Sequence, residues 1–237
     1  MKNAVCLLSG GLDSAVCAYS AHHDGYTIYA LSFSYGQRHD KELTSARAIA
    51  KSVGAKDHKI LSLPLDQIGG SSLIAATKEE IADNPMNEIG SEIPRTYVPG
   101  RNTIFLSFGL AYGEVVNADA LYIGVNAVDY SGYPDCRPEF IKAFQGVANM
   151  ATKQAVTGSP ITIRTPLQTL TKADIVRLGD RLKVPFELTW SCYRGGKKAC
   201  GRCDSCLLRL RGFQEAGIPD PLDYEAYPVW YTQRKKK

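Results

Sequence analysis

The chain has 237 residues, 44% of them hydrophobic and 22% charged, a balance that excludes intrinsic disorder and supplies apolar side chains for one sizeable core. The formal net charge of +4 is matched in size by the tail Arg234-Lys235-Lys236-Lys237, so the body is near neutral, without the basic stripe of a duplex-binding protein, and the tail reads as a solvated end. Thr103–Tyr112 and Ala120–Val128 fall short of the roughly 20 residues of a membrane-spanning helix, and Ala4–Leu8 is shorter than the core of a secretory signal, so no membrane association and a cytoplasmic location are expected.

Asn3–Leu8 is an apolar run that stops at Ser9-Gly10-Gly11, as a buried parallel strand would. From Asp13 to about His23, Ala15, Ala18 and Tyr19 recur at helical spacing, and Asp24-Gly25 closes the helix. Thr27–Phe33, rich in β-branched and aromatic residues, predicts a second strand. Asp40–Val53 places Leu43, Ala46, Ala50 and Val53 on one helical face before Gly54, and Lys59–Leu63 predicts a third strand. Pro64 to Gly100 is polar and punctuated by glycine and proline, with short helices expected near Leu65–Ile68 and Lys78–Ala82 and a mobile stretch around Asp83–Pro94. Helices are then expected over Asn102–Val116 and Pro138–Thr152, and strands over Leu121–Val125 and Ile161–Arg164. Thr171 and Asp174 have capping-box spacing and open a helix to about Leu182. Strands alternating with helices in this way require right-handed crossovers, and so an α/β fold with a doubly wound, mainly parallel five-stranded sheet and helices on both faces. Residues 1–185 are expected to form this nucleotide-binding and catalytic unit, 186–226 a small C-terminal knuckle with a helical segment, and 227–237 a basic tail.

Ser9-Gly10-Gly11-Leu12-Asp13-Ser14 stands between the first strand and the first helix. Two glycines let the backbone turn sharply and approach an anion, and the helix presents unpaired N–H groups and its positive dipole end, which makes the turn a phosphate cradle. Ser9 and Ser14 add hydroxyl donors. Asp13 beside a phosphate implies an intervening cation such as Mg²⁺; the alternative is that Asp13 or Ser14 merely caps the helix. Cys192, Cys200, Cys203 and Cys206, four of seven cysteines, follow the pattern C-x7-C-x2-C-x2-C. In a reducing compartment this clustering points to a metal rather than disulfides, with tetrahedral Zn²⁺ preferred and a [4Fe–4S] cluster as the rival. Arg194, Lys197, Lys198 and Arg202 would offset the thiolate charge. Cys6 and Cys17 fall on apolar faces and read as packing residues. Lys172 at a helix N-terminus works against the dipole, which points to an anion it serves, the alternative being a solvated lysine. Arg101 after Pro99-Gly100 is placed to bind a phosphate or carboxylate. Asp129 to Arg137, directly after the fourth strand, mixes carboxylates, tyrosines and arginine at the sheet edge where α/β ligands bind; Gln37, Arg38 and His39 follow the second strand toward the same crevice, His39 reading as a surface histidine rather than a base.

The string SGGLDS resembles the pyrophosphate loop of the ATP pyrophosphatases, which split ATP between its α- and β-phosphates and adenylate a substrate. Phe33-Ser34-Tyr35-Gly36-Gln37-Arg38-His39, Tyr97-Val98-Pro99-Gly100-Arg101-Asn102, Asp129-Tyr130-Ser131-Gly132-Tyr133-Pro134-Asp135-Cys136-Arg137, Thr171-Lys172 and the cysteine knuckle narrow the resemblance to the 7-cyano-7-deazaguanine synthase family of queuosine and archaeosine biosynthesis, over Val5 to about Ile218. The resemblance implies an ATP-dependent ligase joining ammonia to 7-carboxy-7-deazaguanine through an adenylated carboxylate and then an activated amide. It implies ATP held by Leu8, Ser9, Gly10, Gly11, Leu12, Asp13, Ser14, Ala15 and Phe33, with Asp13, Lys172 and Arg101 catalytic. It implies substrate contacts from Tyr35, Gln37, Arg38, Asn126, Asp129, Tyr130, Tyr133, Asp135 and Arg137, where Tyr130 or Tyr133 would stack on the base and Asp129 or Asp135 accept from its N–H groups. Structural Zn²⁺ on the four cysteines, Mg²⁺ with the nucleotide, a homodimer and no direct nucleic-acid contact complete the expectation. A pyrophosphate-loop tRNA-modifying enzyme of thiolase or lysidine synthetase type, a zinc-knuckle binding module and an ATP sensor without chemistry are the competing readings.

Overall fold

Apolar residues follow one another along the first two strands with both faces covered, the requirement of a sheet packed on two sides. The structure is a computed structural model that describes residues 2–75, 80–90, 92–126 and 133–232. Strands β1 (Lys2–Leu7), β2 (Tyr26–Ser34), β3 (Asp57–Ser62), β4 (Ala120–Tyr122) and β5 (Thr162–Arg164) form one five-stranded sheet in the order β3-β2-β1-β4-β5, and every pairing is parallel. The helices of the described residues are α1 (Leu12–His23), α2 (Lys41–Ser52), α3 (Arg101–Val115), α4 (Pro138–Ala151), α5 (Lys153–Val156), α6 (Lys172–Arg181) and α7 (Asp204–Ala216).

Alternation along the strands sorts the core into two layers. Ala4, Cys6, Ile28, Ala30, Ala120 and Tyr122 pack with Ala15 and Val16 of α1, Ala46 and Ile49 of α2, Ile175 and Val176 of α6, and Phe213 of α7. Val5, Leu7, Tyr29, Leu31, Leu121 and Ile123 pack with Leu106 and Leu110 of α3 and with Ile141 and Phe144 of α4. The doubly wound arrangement expected from the sequence is therefore the one found. Cys6 and Cys17 are buried in the first layer, where burial pushes both thiols up. Four cysteines, with Trp190, Leu210 and Tyr224, form a third, smaller apolar cluster beside the sheet.

The chain leaves β1 for β2 and β3 on one side, then returns to place β4 on the other side of β1. This switch point opens a crevice at the carboxyl ends of β1 and β4. β4 is shorter than the predicted Leu121–Val125: after Ile123, whose N–H bonds the Arg164 carbonyl, the chain bends at Gly124, where a Cβ would come 3.1 Å from the Asp13 carbonyl. Pairing is given up there so that backbone can approach the loop that follows β1. The helix predicted to reach Thr152 ends at Ala151, because Thr152 turns extended and caps α5 by accepting from the Ala155 N–H at 3.1 Å. The turn near Leu65–Ile68 is a short 3-10 helix over Leu65–Gln67. The helix expected near Lys78–Ala82 is not formed by Glu80–Ala82; Lys78 and Glu79 lie outside the described residues. The segment that follows begins on the knuckle: the Arg194 guanidinium donates to the Ile81 carbonyl and to Asp83, each at 2.7 Å, and the Asn84 amide donates to Asp204 at 2.9 Å. No helix among the described residues is long and apolar enough to cross a membrane.

Candidate active site

The loop after β1 is built from backbone. Gly10 adopts φ +87°, and a Cβ there would collide with the Glu42 carbonyl and the Ala46 N–H of α2, so only glycine lets the loop lie against that helix. The Gly10 carbonyl accepts from the Trp190 N–H at 2.9 Å. Gly11 is the N-cap of α1 and brings no side chain to it, so the first N–H groups of the helix face the crevice. Ser9 and Ser14 exchange a hydroxyl hydrogen bond of 3.0 Å beside them, and Ser14 also donates to the Gly11 carbonyl at 3.1 Å. The result is an anion cradle with hydroxyls at its rim.

Asp13 sits in the first turn of α1 and is held from two other elements. Lys172, the first residue of α6, donates from Nζ to Asp13 Oδ2 at 2.6 Å, and the buried Asn126, four residues past β4, donates to the same oxygen at 3.0 Å. The capping box of Thr171 and Asp174 is formed and fixes the start of α6, from which Lys172 projects. The Lys172 and Asp13 side chains are 13% and 21% exposed, so the pair is largely withdrawn from water. Asp13 Oδ1 is buried with no hydrogen-bond partner among the described residues. An orphaned carboxylate oxygen at the phosphate cradle fits a divalent cation that takes its remaining ligands from phosphates and water.

Asp13, Ser14, Lys172 and Arg101 line one cavity of about 250 Å³, together with Leu8, Ser9, Gly11, Leu12, Phe33, Tyr35, Gln37 and Tyr133. Arg101 opens α3 and is held near Tyr35 and Tyr133; burial works against its charge, but these groups with Cys136 and Asp135 keep it firmly protonated. Burial in turn pushes the Tyr35 phenol up to about 12. Phe33 stacks on Phe105 with centroids 4.0 Å apart, and Tyr35 leans on the same ring at 5.7 Å, giving the cavity an aromatic wall. Gln37 lines the cavity while its amide closes the turn after β2, accepting from the Tyr35 N–H at 2.7 Å.

Other residues named from the sequence stand elsewhere. Gly10 and Ala15 are packed behind the loop rather than on the cavity surface. Arg38 donates to the Ser72 carbonyl at 2.6 Å and Arg137, exposed, to the Pro134 carbonyl at 3.1 Å; neither lines the cavity. Asp135 is buried and accepts from the Asn102 N–H at 2.8 Å, so it caps α3, whose own N-cap, Gly100, has no side chain to do so. Asn126 sits behind Asp13 as its hydrogen-bond donor. Asp129 and Tyr130 lie outside the described residues. His39 is half-buried, donates to the Cys192 carbonyl at 3.0 Å and is absent from the cavity wall.

Among the wall residues that sequence reasoning did not single out, Phe105 and Glu42 bear most on the chemistry. Phe105 lies one helical turn after Arg101 on α3, and that i, i+4 relation was the available signal. Glu42, in the first turn of α2, also lines the cavity, and burial pushes its carboxyl up to about 7 against the pull of the Arg101 guanidinium. An acidic residue in a first helical turn is so common that nothing marked this one.

The four cysteines come together. Cys192, Cys200, Cys203 and Cys206 are buried and offer sulfurs all within 4.8 Å of one another, with Cys200 Sγ and Cys206 Sγ 3.9 Å apart. Tetrahedral thiolates about 2.3 Å from one ion stand about 3.8 Å apart, so the set fits a single ion, whereas a four-iron cube would spread its ligands further. Backbone N–H groups of Arg194, Cys200 and Cys203 point at the sulfurs at 3.3–3.4 Å, as they do toward thiolates. Four protein ligands leave no open position, the signature of a structural centre.

With this geometry in place, comparison with known proteins is direct. The model of the queuosine biosynthesis protein QueC family matches residues 3–217. The 7-cyano-7-deazaguanine synthase 2 of Desulfitobacterium hafniense (strain Y51) is 53% identical over 224 residues, covering 94% of either chain. The 7-cyano-7-deazaguanine synthase of Trichodesmium erythraeum is 55% identical over 92% of this chain and 99% of its own, and that of Thermoplasma acidophilum 51% identical over 100% and 99%. Coverage that complete, at that identity, leaves no part of the cradle, the cavity or the cysteine knuckle outside the match: the chain belongs to the queuosine biosynthesis protein QueC family.

Proposed function

We propose that the chain is the ATP-dependent ligase that converts 7-carboxy-7-deazaguanine and ammonia into 7-cyano-7-deazaguanine. The relatives that bear this activity in their names, at half identity over nearly the full length, support the reaction. The observation that carries the chemistry is the Lys172–Asp13 pair of 2.6 Å at the uncapped N-terminus of α1. A carboxylate does not react with ammonia, because its leaving group would be oxide. Adenylation converts that oxygen into a phosphate leaving group, ammonia then gives the amide, and a second activation of the amide oxygen allows loss of water to the nitrile. The loop N–H groups, Ser9, Ser14 and Lys172 face the phosphates and stabilise the charge that develops there, and Arg101 holds the carboxylate or the α-phosphate against them; this is electrostatic preorganisation together with proximity. Asn126 fixes the carboxylate of Asp13, and Phe33, Phe105, Tyr35 and Tyr133 supply flat apolar surface for the rings. Mg²⁺, held by Asp13, would neutralise phosphate charge when bound. Zinc on the four cysteines is the structural ion of the reading, with segment 186–226 as an appendage bracing the catalytic unit of 1–185.

Val115, Met150 and Val156, each more than 70% exposed on α3, α4 and α5, supply apolar surface for a homodimer, and the four reduced cysteines suit the cytoplasm. Asp129 and Tyr130 remain candidates for reading the base.

Mass-spectrometric detection of the nitrile from the carboxy-deazaguanine, ATP and ammonium tests the activity. Asp13→Asn should keep the fold and lower ATP turnover by about 10²-fold or more. Undiminished turnover rejects Asp13 as the cation anchor, and tRNA binding with tRNA-dependent ATP use in place of nitrile formation would favour the tRNA-modifying alternative.

A further inference from the structure

Two carboxylates line the cavity among the described residues, Asp13 and Glu42. Asp13 is committed to Lys172 and Asn126. Glu42 makes no hydrogen bond and no ion pair among the described residues, and it is part-buried in the cavity wall. Its place is fixed, because the first turn of α2 is the surface on which Gly10 of the phosphate loop rests. A carboxylate partly withdrawn from water without donors carries a cost, which a ligand that brings donors or positive charge relieves.

The reaction offers such a ligand. Near neutral pH ammonia in water is overwhelmingly ammonium, a cation with no lone pair. It must therefore be held by an anion and lose a proton before it can attack. Glu42 neighbours Arg101 and Tyr35 across the cavity, and Arg101 is the guanidinium that would grip the reacting carboxylate or its phosphate. A carboxylate there would stand beside the reacting carbon. The amino-pyrimidine edge of a deazaguanine lies at the opposite end of the bicycle from its 7-substituent, so a reader of that edge belongs elsewhere. Resting on the function proposed above, we infer that the Glu42 carboxylate binds the ammonium ion that supplies the nitrogen and accepts one of its protons.

In the step, an N–H bond of ammonium breaks, its electron pair stays on nitrogen, and the proton passes to a Glu42 oxygen. The lone pair forms the C–N bond to the acyl carbon of the adenylate. The C–O bond to phosphate breaks and AMP leaves with that pair. The surplus proton on nitrogen and the proton on Glu42 are released to water, which restores the carboxylate. The later conversion of amide to nitrile takes up no nitrogen, so it has no use for Glu42 in this role.

The test is Glu42→Gln in the full chain, isolated with its bound metal and compared on two substrates. From the carboxylate with ammonium, the KM for ammonium should rise about tenfold or more. From the amide with ATP, nitrile formation should fall by no more than about threefold. Equal losses on both substrates would make Glu42 a reader of the base and overturn the inference, as would an unchanged KM for ammonium. Glu42→Asp, which keeps the charge on a shorter stem, should fall between the two; if Glu42→Gln does not fold, an unchanged ammonium KM in Glu42→Asp overturns the inference instead. Absence of nitrile from either substrate with the native chain would defeat the underlying function reading, a result distinguishable from every outcome of the variants.

Discussion

Lys172 crosses from α6 to Asp13 with its stem laid over Gly212 of α7, and that contact makes a helix remote from the phosphate loop answerable for where the Lys172 amine stands. A Cβ at Gly212 would stand 2.5 Å from Lys172 Cγ and 3.1 Å from Lys172 Cβ. Carbon atoms in contact need about 3.5–4.0 Å, so Gly212→Ala must displace the stem by about 1 Å. The Nζ it carries sits 2.6 Å from Asp13 Oδ2, and a shift of about 1 Å at a reacting constellation can cost on the order of 10²-fold in rate. Stability should move far less. Overpacking costs about 1–3 kcal/mol and alanine gains about 1 kcal/mol over glycine within a helix, leaving a net loss near 1 kcal/mol. For a chain of this size that is a fall in Tm of about 2–4 °C. Gly146 of α4 is the control, since a Cβ there meets nothing within 4 Å and alanine should leave turnover alone while raising Tm slightly. Steady-state ATP consumption and calorimetric melting, run on both variants, decide the matter. Full turnover in Gly212→Ala would refute the claim that Gly212 sets the position of Lys172, and a collapse in Tm would show that the substitution acts through folding instead.

Two further outcomes follow from the same geometry. Cys200→Ser removes one of four converging sulfurs and should lower zinc content and Tm together, Tm by about 5 °C or more; a fully stable zinc-free variant would contradict the structural role. Glu42→Gln should change how stability depends on pH. In the fold the carboxyl is pushed up to about 7 from an ordinary 4.5, so between these values the folded chain holds a proton that the unfolded chain has released, and stability falls as pH rises through the window. That loss, about 3 kcal/mol at most, is absent from the variant, whose Tm relative to the native chain should climb from about pH 5 to about pH 8. A constant difference across that range would refute the raised titration of this part-buried carboxyl.

Local signals made much of the fold and half of the site legible. The strands announced themselves by short apolar runs, one stopped by Ser9-Gly10-Gly11 and another rich in β-branched and aromatic residues, and the strand-helix alternation called for a parallel sheet. The phosphate loop was readable because its chemistry sits in consecutive residues, and Lys172 because a lysine at a helix start defies the dipole. What stayed hidden depends on residues distant in sequence. Asp135 reads as a candidate base acceptor until α3 is seen to begin at Gly100, which leaves an N–H that only a tertiary carboxylate can satisfy. Glu42 looks like any acidic residue of a first turn until Gly10 brings α2 against the loop. Phe105 was within a helix whose apolar residues all resemble core, and its stacking on Phe33 is what sets it apart.

The cysteine knuckle also gains a purpose once its contacts are traced. A loop of serine and glycine has few side chains with which to hold itself in one conformation, and Gly10 and Gly11 lose more entropy on ordering than other residues would. Its fixed partners therefore come from outside. The Trp190 N–H binds the Gly10 carbonyl at 2.9 Å, two residues before the first sulfur ligand. Lys41, next to Glu42, lies 3.9 Å over the Trp190 ring and donates to the Gly196 and Lys197 carbonyls within the knuckle. His39 donates to the Cys192 carbonyl, and α7, whose N-cap is Cys203, carries the Gly212 surface on which Lys172 lies. A buried Arg209–Asp220 pair at 2.8 Å, satisfied further by Thr189 and Tyr224, locks α7 to the segments on either side. The Trp190, Lys41 and Gly212 contacts end at the phosphate loop, at α2 and at Lys172, so an ion that draws the four sulfurs together would also brace the cradle and the lysine that faces it.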